Sequence, residues 1–280
     1  MLILNALSGG ANALPGNISL IDALPDLTNL QLCVDVGDSN SLASDAANTA
    51  LEDLSANGND MQAGTTAGAD SQDPAFSGTI GALSNAEFVT MDGVQDSALS
   101  DLYTFATNPA WLETIHKDSA VFTVLTIVQF TSASGVFSCG NITNSANVGF
   151  EFFFDKPNPR MGFRVAKGGG GFALEEIDTG LDPDTNTWLL AAVSIDEDAG
   201  SGLLYLNGNT SSFTSTYSSP SASAASTTFS FGASNLGAAT SLQSVDSRFA
   251  AAAVFQGRAL DAAELNAIHE NLSNRFQFGE

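Results

Sequence analysis

The sequence predicts an all-β fold, an antiparallel sandwich of two sheets closed over an apolar interior, with a short C-terminal helix and an irregular N-terminal segment. Three observations lead there. Val121 to Phe130, Val148 to Phe154, Asn186 to Asp196 and Phe249 to Phe255 are β-branched, aromatic or small apolar runs of strand length. Turn residues separate such runs at spacings of roughly 8 to 12 positions, as in sandwiches. The helical patterns of about 10 to 15 residues that would join parallel strands are absent from the body of the chain.

Taken in order, residues 1–30 are rich in Leu, Asn, Pro and Gly, too short and broken to form a core, and are expected to be an anchoring or oligomerisation segment. The sandwich domain is expected over 31–280. Asn29 to Val36 alternates as a strand and turns at Gly37 to Asn40, and Leu54 to Asp60 is a polar turn around Asn57-Gly58. Residues 62–74 read as a long surface loop. Glu87 to Met91 is a further strand closing at Asp92-Gly93, and residues 97–120 suit short helical turns interrupted by Pro109.

Phe150, Phe152 and Phe154 share one face by the two-residue period, opposite Glu151 and Phe153. Arg160 to Val165 returns as a hairpin, and Gly168 to Gly171 forms a tip. Residues 210–226, almost wholly Ser, Thr and Ala with a few aromatics, read as a solvated strand with an adaptable loop. Thr227 to Gly232 and Phe249 to Phe255 supply closing strands. Asp261 followed by Glu264, then Leu265, Ile268 and Leu272, spells an N-capped amphipathic helix lying against the sandwich.

The 280 residues include 19 phenylalanines and 44% hydrophobic residues, enough apolar surface to order most of the chain. The formal charge of −23 repels phosphate backbones, so neither nucleic acid nor an anionic membrane is an expected partner. No run approaches the length of a membrane-spanning helix, and Met1 to Gly10 lacks the positive start of a secretory signal. Cys33 and Cys139 lie in apolar strand contexts and are expected as two buried free thiols.

Thr187-Trp188-Leu189-Leu190-Ala191-Ala192-Val193, then Asp196 and Gly200, then Leu204-Tyr205-Leu206-Asn207-Gly208 resemble the central hairpin of concanavalin A-like, laminin G-like jelly rolls. Phe249 to Phe255, Arg258-Ala259-Leu260 and Ala263-Glu264-Leu265 resemble that family's last strand and short terminal helix. Leu54 to Asn59, Pro74-Ala75-Phe76 and Phe88 to Gly93 resemble its opening, so the likeness covers roughly residues 30–275. It implies a jelly roll that binds glycans or protein ligands through loops at one rim, often with Ca²⁺, while some relatives are glycoside hydrolases. It further implies a non-enzymatic protein of a virion or phage-like particle surface, as a homo-oligomer or beside other particle structural proteins, touching a cell-surface polysaccharide. A purely structural decoration protein and, more remotely, a polysaccharide-active enzyme are the alternatives.

For the chemistry, a stacking platform for sugar needs an exposed aromatic beside polar groups, and Phe172 and Tyr217 are the candidates, whereas Trp188 opens an apolar strand and belongs in the core. Asp182, Asp184 and Asn186 could offer oxygens to a calcium ion on one rim loop, with Asp196, Glu197 and Asp198 as a second group; the same residues are also ordinary turn formers. Glycoside hydrolysis needs two opposed carboxylates, and the nearest cluster, Glu175, Glu176 and Asp178, reads as a solvated acidic edge. His116 and His269 stand apart, and no Gly-x-Ser-x-Gly occurs.

Overall fold

The computed structural model describes residues 17–42, 49–91, 101–142, 144–233 and 244–279. The first strands are β1 (Leu30–Asp35), β2 (Ala50–Leu51), β3 (Met61–Ala63), β4 (Ala75–Ser77), β5 (Phe88–Met91) and β6 (Tyr103–Thr104). Longer ones follow: β7 (Val121–Phe130), β8 (Val136–Gly140), β9 (Val148–Asp155), β10 (Arg160–Lys167), β11 (Phe172–Asp178) and β12 (Trp188–Asp196). The set closes with β13 (Ser201–Leu206), β14 (Asn209–Thr214), β15 (Ser230–Phe231) and β16 (Ser247–Gln256), and two helices, α1 (Leu20–Ala23) and α2 (Ala262–Phe276), flank them.

The strands form two sheets, antiparallel along their ladders. One runs β14-β13-β12-β7-β16-β5-β4, with β1 also paired to β16; the other runs β11-β10-β9-β8-β15-β6-β3-β2. The expected two-sheet jelly roll with its C-terminal helix is therefore what the chain adopts. Phenylalanines bridge the sheets: Phe122 on β7 meets Phe163 on β10 at 5.5 Å, and Phe137 on β8 stacks on Phe249 of β16 at 6.0 Å. Phe150, Phe152 and Phe154 point inward together, as the period requires, while Phe153 lies on the opposite face beneath the guanidiniums of Arg160 and Arg164.

One expectation is corrected. The apolar residues do not close over a single interior: a second apolar layer lies between the first sheet and the helices. In β7, Phe122, Val124, Val128 and Phe130 face the sandwich interior while Leu125 and Ile127 face the helical layer. In β12, Leu189, Ala191, Val193 and Ile195 face inward, and Trp188, Leu190 and Ala192 outward. A strand covered on both faces has no reason to alternate, which is why these segments read as continuous apolar runs. Trp188 is buried as expected, yet in the outer layer, against Phe88 at 6.1 Å and Phe276 at 5.3 Å. The alanine run of β16 belongs to the same design. A register shift between Phe249 and Ala251 turns both Ala250 and Ala251 toward the helical layer, where small side chains admit α1.

Residues 17–30 pack onto the domain, with Leu20, Ala23, Leu24 and Leu30 joining the outer layer. The Leu20 N–H donates to the Asp35 carboxylate at 2.8 Å. Residues 1–16 of the expected anchoring segment and the Asp92-Gly93 turn lie outside the described residues. Cys33 and Cys139 are free and buried, as the sequence implied. In the 97–120 region the described part forms strand β6 and one 3-10 turn at Leu112–Thr114.

α2 begins at a capping box: the Asp261 carboxylate accepts from the Glu264 N–H, and the Glu264 carboxylate accepts from the Asp261 N–H. Asp261→Ala is expected to cost about 1 kcal/mol, measurable as a shift in the urea midpoint, because the orphaned N–H groups of the first turn lose their acceptor. An unchanged midpoint would show that α2 is held by packing alone.

Candidate functional site

The structure separates the residues singled out in the sequence. Tyr217 is not an exposed platform: it is buried, and its hydroxyl donates to the Ile115 carbonyl at 3.0 Å. Burial, with the Glu197 carboxylate nearby, pushes its phenol well above the ordinary range. Glu197 ties the same region down, accepting from the Ser119 and Tyr217 N–H groups, while the Asp196 carboxylate accepts from Ala199 N–H. Both act as loop fasteners, so the stretch expected to be adaptable is pinned from Ser215 to Ser223; only β14 matches the solvated strand.

His116 completes that anchorage. It is buried, with Nε2 3.0 Å from the Ser223 carbonyl, so Nε2 carries the proton. Burial holds its pKa below the ordinary imidazole value. As pH falls below about 6.5 the unfolded chain takes up a proton first, so the stability His116 contributes is present above that pH and lost on the acid side. His116→Gln is expected to flatten the dependence of the urea midpoint on pH in that window; an identical slope would remove the assignment.

Phe172 is half-exposed at the start of the edge strand β11, with the Arg164 guanidinium 5.6 Å from its ring centre. Arg164 also ion-pairs with Glu175 and Glu151. The acidic cluster is thus divided. The strand register puts Glu175 opposite Arg164 on the outer face and places Glu176 and Asp178 on the inner face, opposite Phe163 and Met161. A hydrogen bond from Ser211 holds the Asp178 carboxyl below its usual value, and its Oδ1 accepts from Gly180 and Leu181 N–H; burial raises Glu176.

Of the calcium candidates, Asp182 accepts from the Lys156 ammonium at 2.7 Å, and Asp184 is exposed. Among the described residues no group of three His, Cys, Asp or Glu stands where it could hold a metal ion. Asn186 has a different setting. Its backbone is left-handed (φ 59°), its N–H donates to Phe130, and its carbonyl accepts from Gln129 Nε2 at 3.1 Å. This places it on the rim of a polar cavity of about 290 Å³.

That cavity lies on the outer face of the first sheet, beside the C-terminal end of α2. Trp188 and Phe276 lie beneath it, both buried, so the surface it presents is polar. Asn85, Asn186 and Gln277 place exposed amides at its mouth. Across the strands, the ladder aligns Trp188 of β12, Gln129 of β7 and Arg248 of β16 in one row. Arg248 is clamped: Nη1 donates to Gln129 Oε1 at 2.7 Å, and the guanidinium lies 4.3 Å from the centre of the Phe88 ring. Arg160, Arg164, Arg258 and Arg275 each contact a carboxylate, whereas Arg248 has none among the described residues. Sequence reading missed Arg248 and Gln129 because each stands alone in its segment; the one available signal was a charged residue opening an apolar strand.

Two packed antiparallel sheets with a short C-terminal helix define a jelly-roll class of β-sandwich. The chain belongs to the concanavalin A-like lectin/glucanases superfamily, whose family model matches residues 106–266. Comparison with curated proteins returns no match. Among solved structures, the chain is similar to the binding domain of botulinum neurotoxin DC in complex with rat synaptotagmin II, at TM-score 0.58 and 10% identity over 88% of this chain and 52% of that one. It is also similar to botulinum neurotoxin type C, from a study of entry dependent on two ganglioside molecules, at TM-score 0.57, 10% identity and the same coverage. Trypanosoma rangeli sialidase in complex with sialic acid follows at TM-score 0.50 and 12% identity, over 92% of this chain and 35% of that one. The chain thus spans about half the length of the neurotoxin chains, and these likenesses establish a shared fold.

Proposed function

We propose that the protein is a non-enzymatic, lectin-like module that binds a cell-surface polysaccharide. The observation that carries this reading is the polar cavity at Arg248, where exposed amides meet a guanidinium with donors to spare among the described residues. Sugar rings present edges of hydroxyl groups, which such donors and acceptors match. Botulinum neurotoxin type C, whose cell entry depends on two ganglioside molecules, and the sialidase in complex with sialic acid share this fold and support the class of ligand. The acidic edge favours binding over hydrolysis, because Glu175 is neutralised by Arg164 and Asp178 serves a turn.

A glycan array probed with the full chain, with and without EGTA, tests the reading. Retained signal on one group of polysaccharides is expected, and silence across host-derived glycans would overturn it in favour of a purely structural role. Calcium at Asp182, Asp184 and Asn186 enters as a variable, since loss of signal in EGTA is what a metal-dependent site would show. Location on a virion or phage-like particle, as a homo-oligomer or beside other particle proteins, forms the second part of the proposal. The family resemblance supports it, and proteomics of purified particles tests it.

A further inference from the structure

Resting on the glycan-binding reading, we infer that the Arg248 cavity selects a carboxylate-bearing sugar, such as a uronic or sialic acid residue, over neutral sugars. The chain carries a formal charge of −23, with 31 acidic residues to 8 basic ones, and among the described residues a guanidinium without a carboxylate partner is the exception. An arginine has five N–H donors in a planar fork suited to a carboxylate. The structure spends one of them on Gln129 and fixes the plane against Phe88.

That clamp matters energetically. Arginine is rotamer-rich, and ordering it before the ligand arrives removes a cost that binding would otherwise meet. Gln129 is itself held by Asn186, so the row Asn186, Gln129, Arg248 orients the guanidinium through two hydrogen bonds. The helix end at the same mouth carries only a partial negative charge, and no hydrogen bond joins it to Arg248 among the described residues. Long-range repulsion from the acidic surface is screened beyond about 8 Å at physiological ionic strength, which leaves the local guanidinium to decide the sign of the interaction.

The size of the cavity limits the ligand. About 290 Å³ lies at the low end of ligand pockets, which span roughly 300–1,000 Å³, and suits one sugar unit at a time. Its exposed amides on Asn85, Asn186 and Gln277 match ring hydroxyls and favour a sugar acid over a peptide carboxylate, whose neighbours would be largely apolar or amide.

The test titrates the full chain with oligosaccharides ending in glucuronate, galacturonate or N-acetylneuraminate, and with their methyl esters, which keep each hydroxyl and remove the charge. Calorimetry, with intrinsic fluorescence to which Trp188 beneath the cavity and Trp111 both contribute, reports binding at physiological salt. At least one acid is expected to bind ten-fold or more tightly than its ester. Arg248→Gln should lose that margin, Arg248→Lys should keep part of it, and Gln277→Ala, at an exposed rim position, should weaken the acid several-fold without altering the melting temperature. Esters that bind as well as acids, an Arg248→Gln variant that binds like the parent, or a glutamate-rich peptide that binds as well as the sugar acids would each overturn the inference while leaving the broader glycan reading intact. Failure of all acidic sugars, with neutral glycans still bound on the array, would do the same. Failure of every glycan would overturn both.

Discussion

Arg275→Ala is expected to destabilise the protein by about 3–5 kcal/mol, the usual cost of removing one partner of a fully buried ion pair. Arg275 on α2 and Asp35 at the end of β1 are both buried, and they are joined by two parallel bonds of 2.6 and 2.7 Å. The guanidinium also donates to the Ser84 and Ile18 carbonyls, and Asp35 also accepts from the Leu20 and Gly37 N–H groups. One pair therefore ties the N-terminal segment, the first strand, the loop before β5 and the terminal helix. Alanine would leave the Asp35 charge and two carbonyls without their partner in an environment that cannot solvate them. Combining Asp35→Leu with Arg275→Met is expected to lose less than Arg275→Ala alone, since no charge is stranded, though the freed backbone groups keep it below the parent. Urea unfolding of the three variants checks this order. A double variant as unstable as Arg275→Ala would show that backbone bonds, not the stranded charge, set the cost.

Trp188→Ala is expected to cost about 3–5 kcal/mol, as aromatic truncations in packed interiors do. Its effect should be local in a way that separates the two apolar layers. The ring spans Phe88 on β5 and Phe276 on α2, so its loss opens a void under the helix and leaves the phenylalanine lattice between the sheets in place. Amide hydrogen exchange should accelerate in α2 and near Phe88, while β9 and β10, two strands of the opposite sheet, keep their protection. Uniform acceleration would mean that the layers unfold as one unit.

Strand positions were legible because side-chain period and turn chemistry are local properties. Phe150, Phe152 and Phe154 face inward as their spacing requires, and Asp261 caps the helix it precedes. The second apolar layer was not legible, since an apolar run such as Leu189 to Val193 is consistent with burial on one face or two until the helices are placed. The same limit governs the site. Tyr217 sits among serines and threonines, a solvated context by composition, yet Glu197 and Ile115 draw it inward from distant segments.

By itself, then, the amino-acid order determined the class of fold, the free thiols, the helix cap and the acidic character of the chain. Tertiary structure alone decided which charged groups meet. Arg248, Gln129 and Asn186 lie on separate segments and become neighbours only through strand register, and the Asp35 to Arg275 pair closes across 240 residues of chain. Backbone pattern is written within a few residues, whereas binding chemistry depends on contacts between segments that no local spacing encodes.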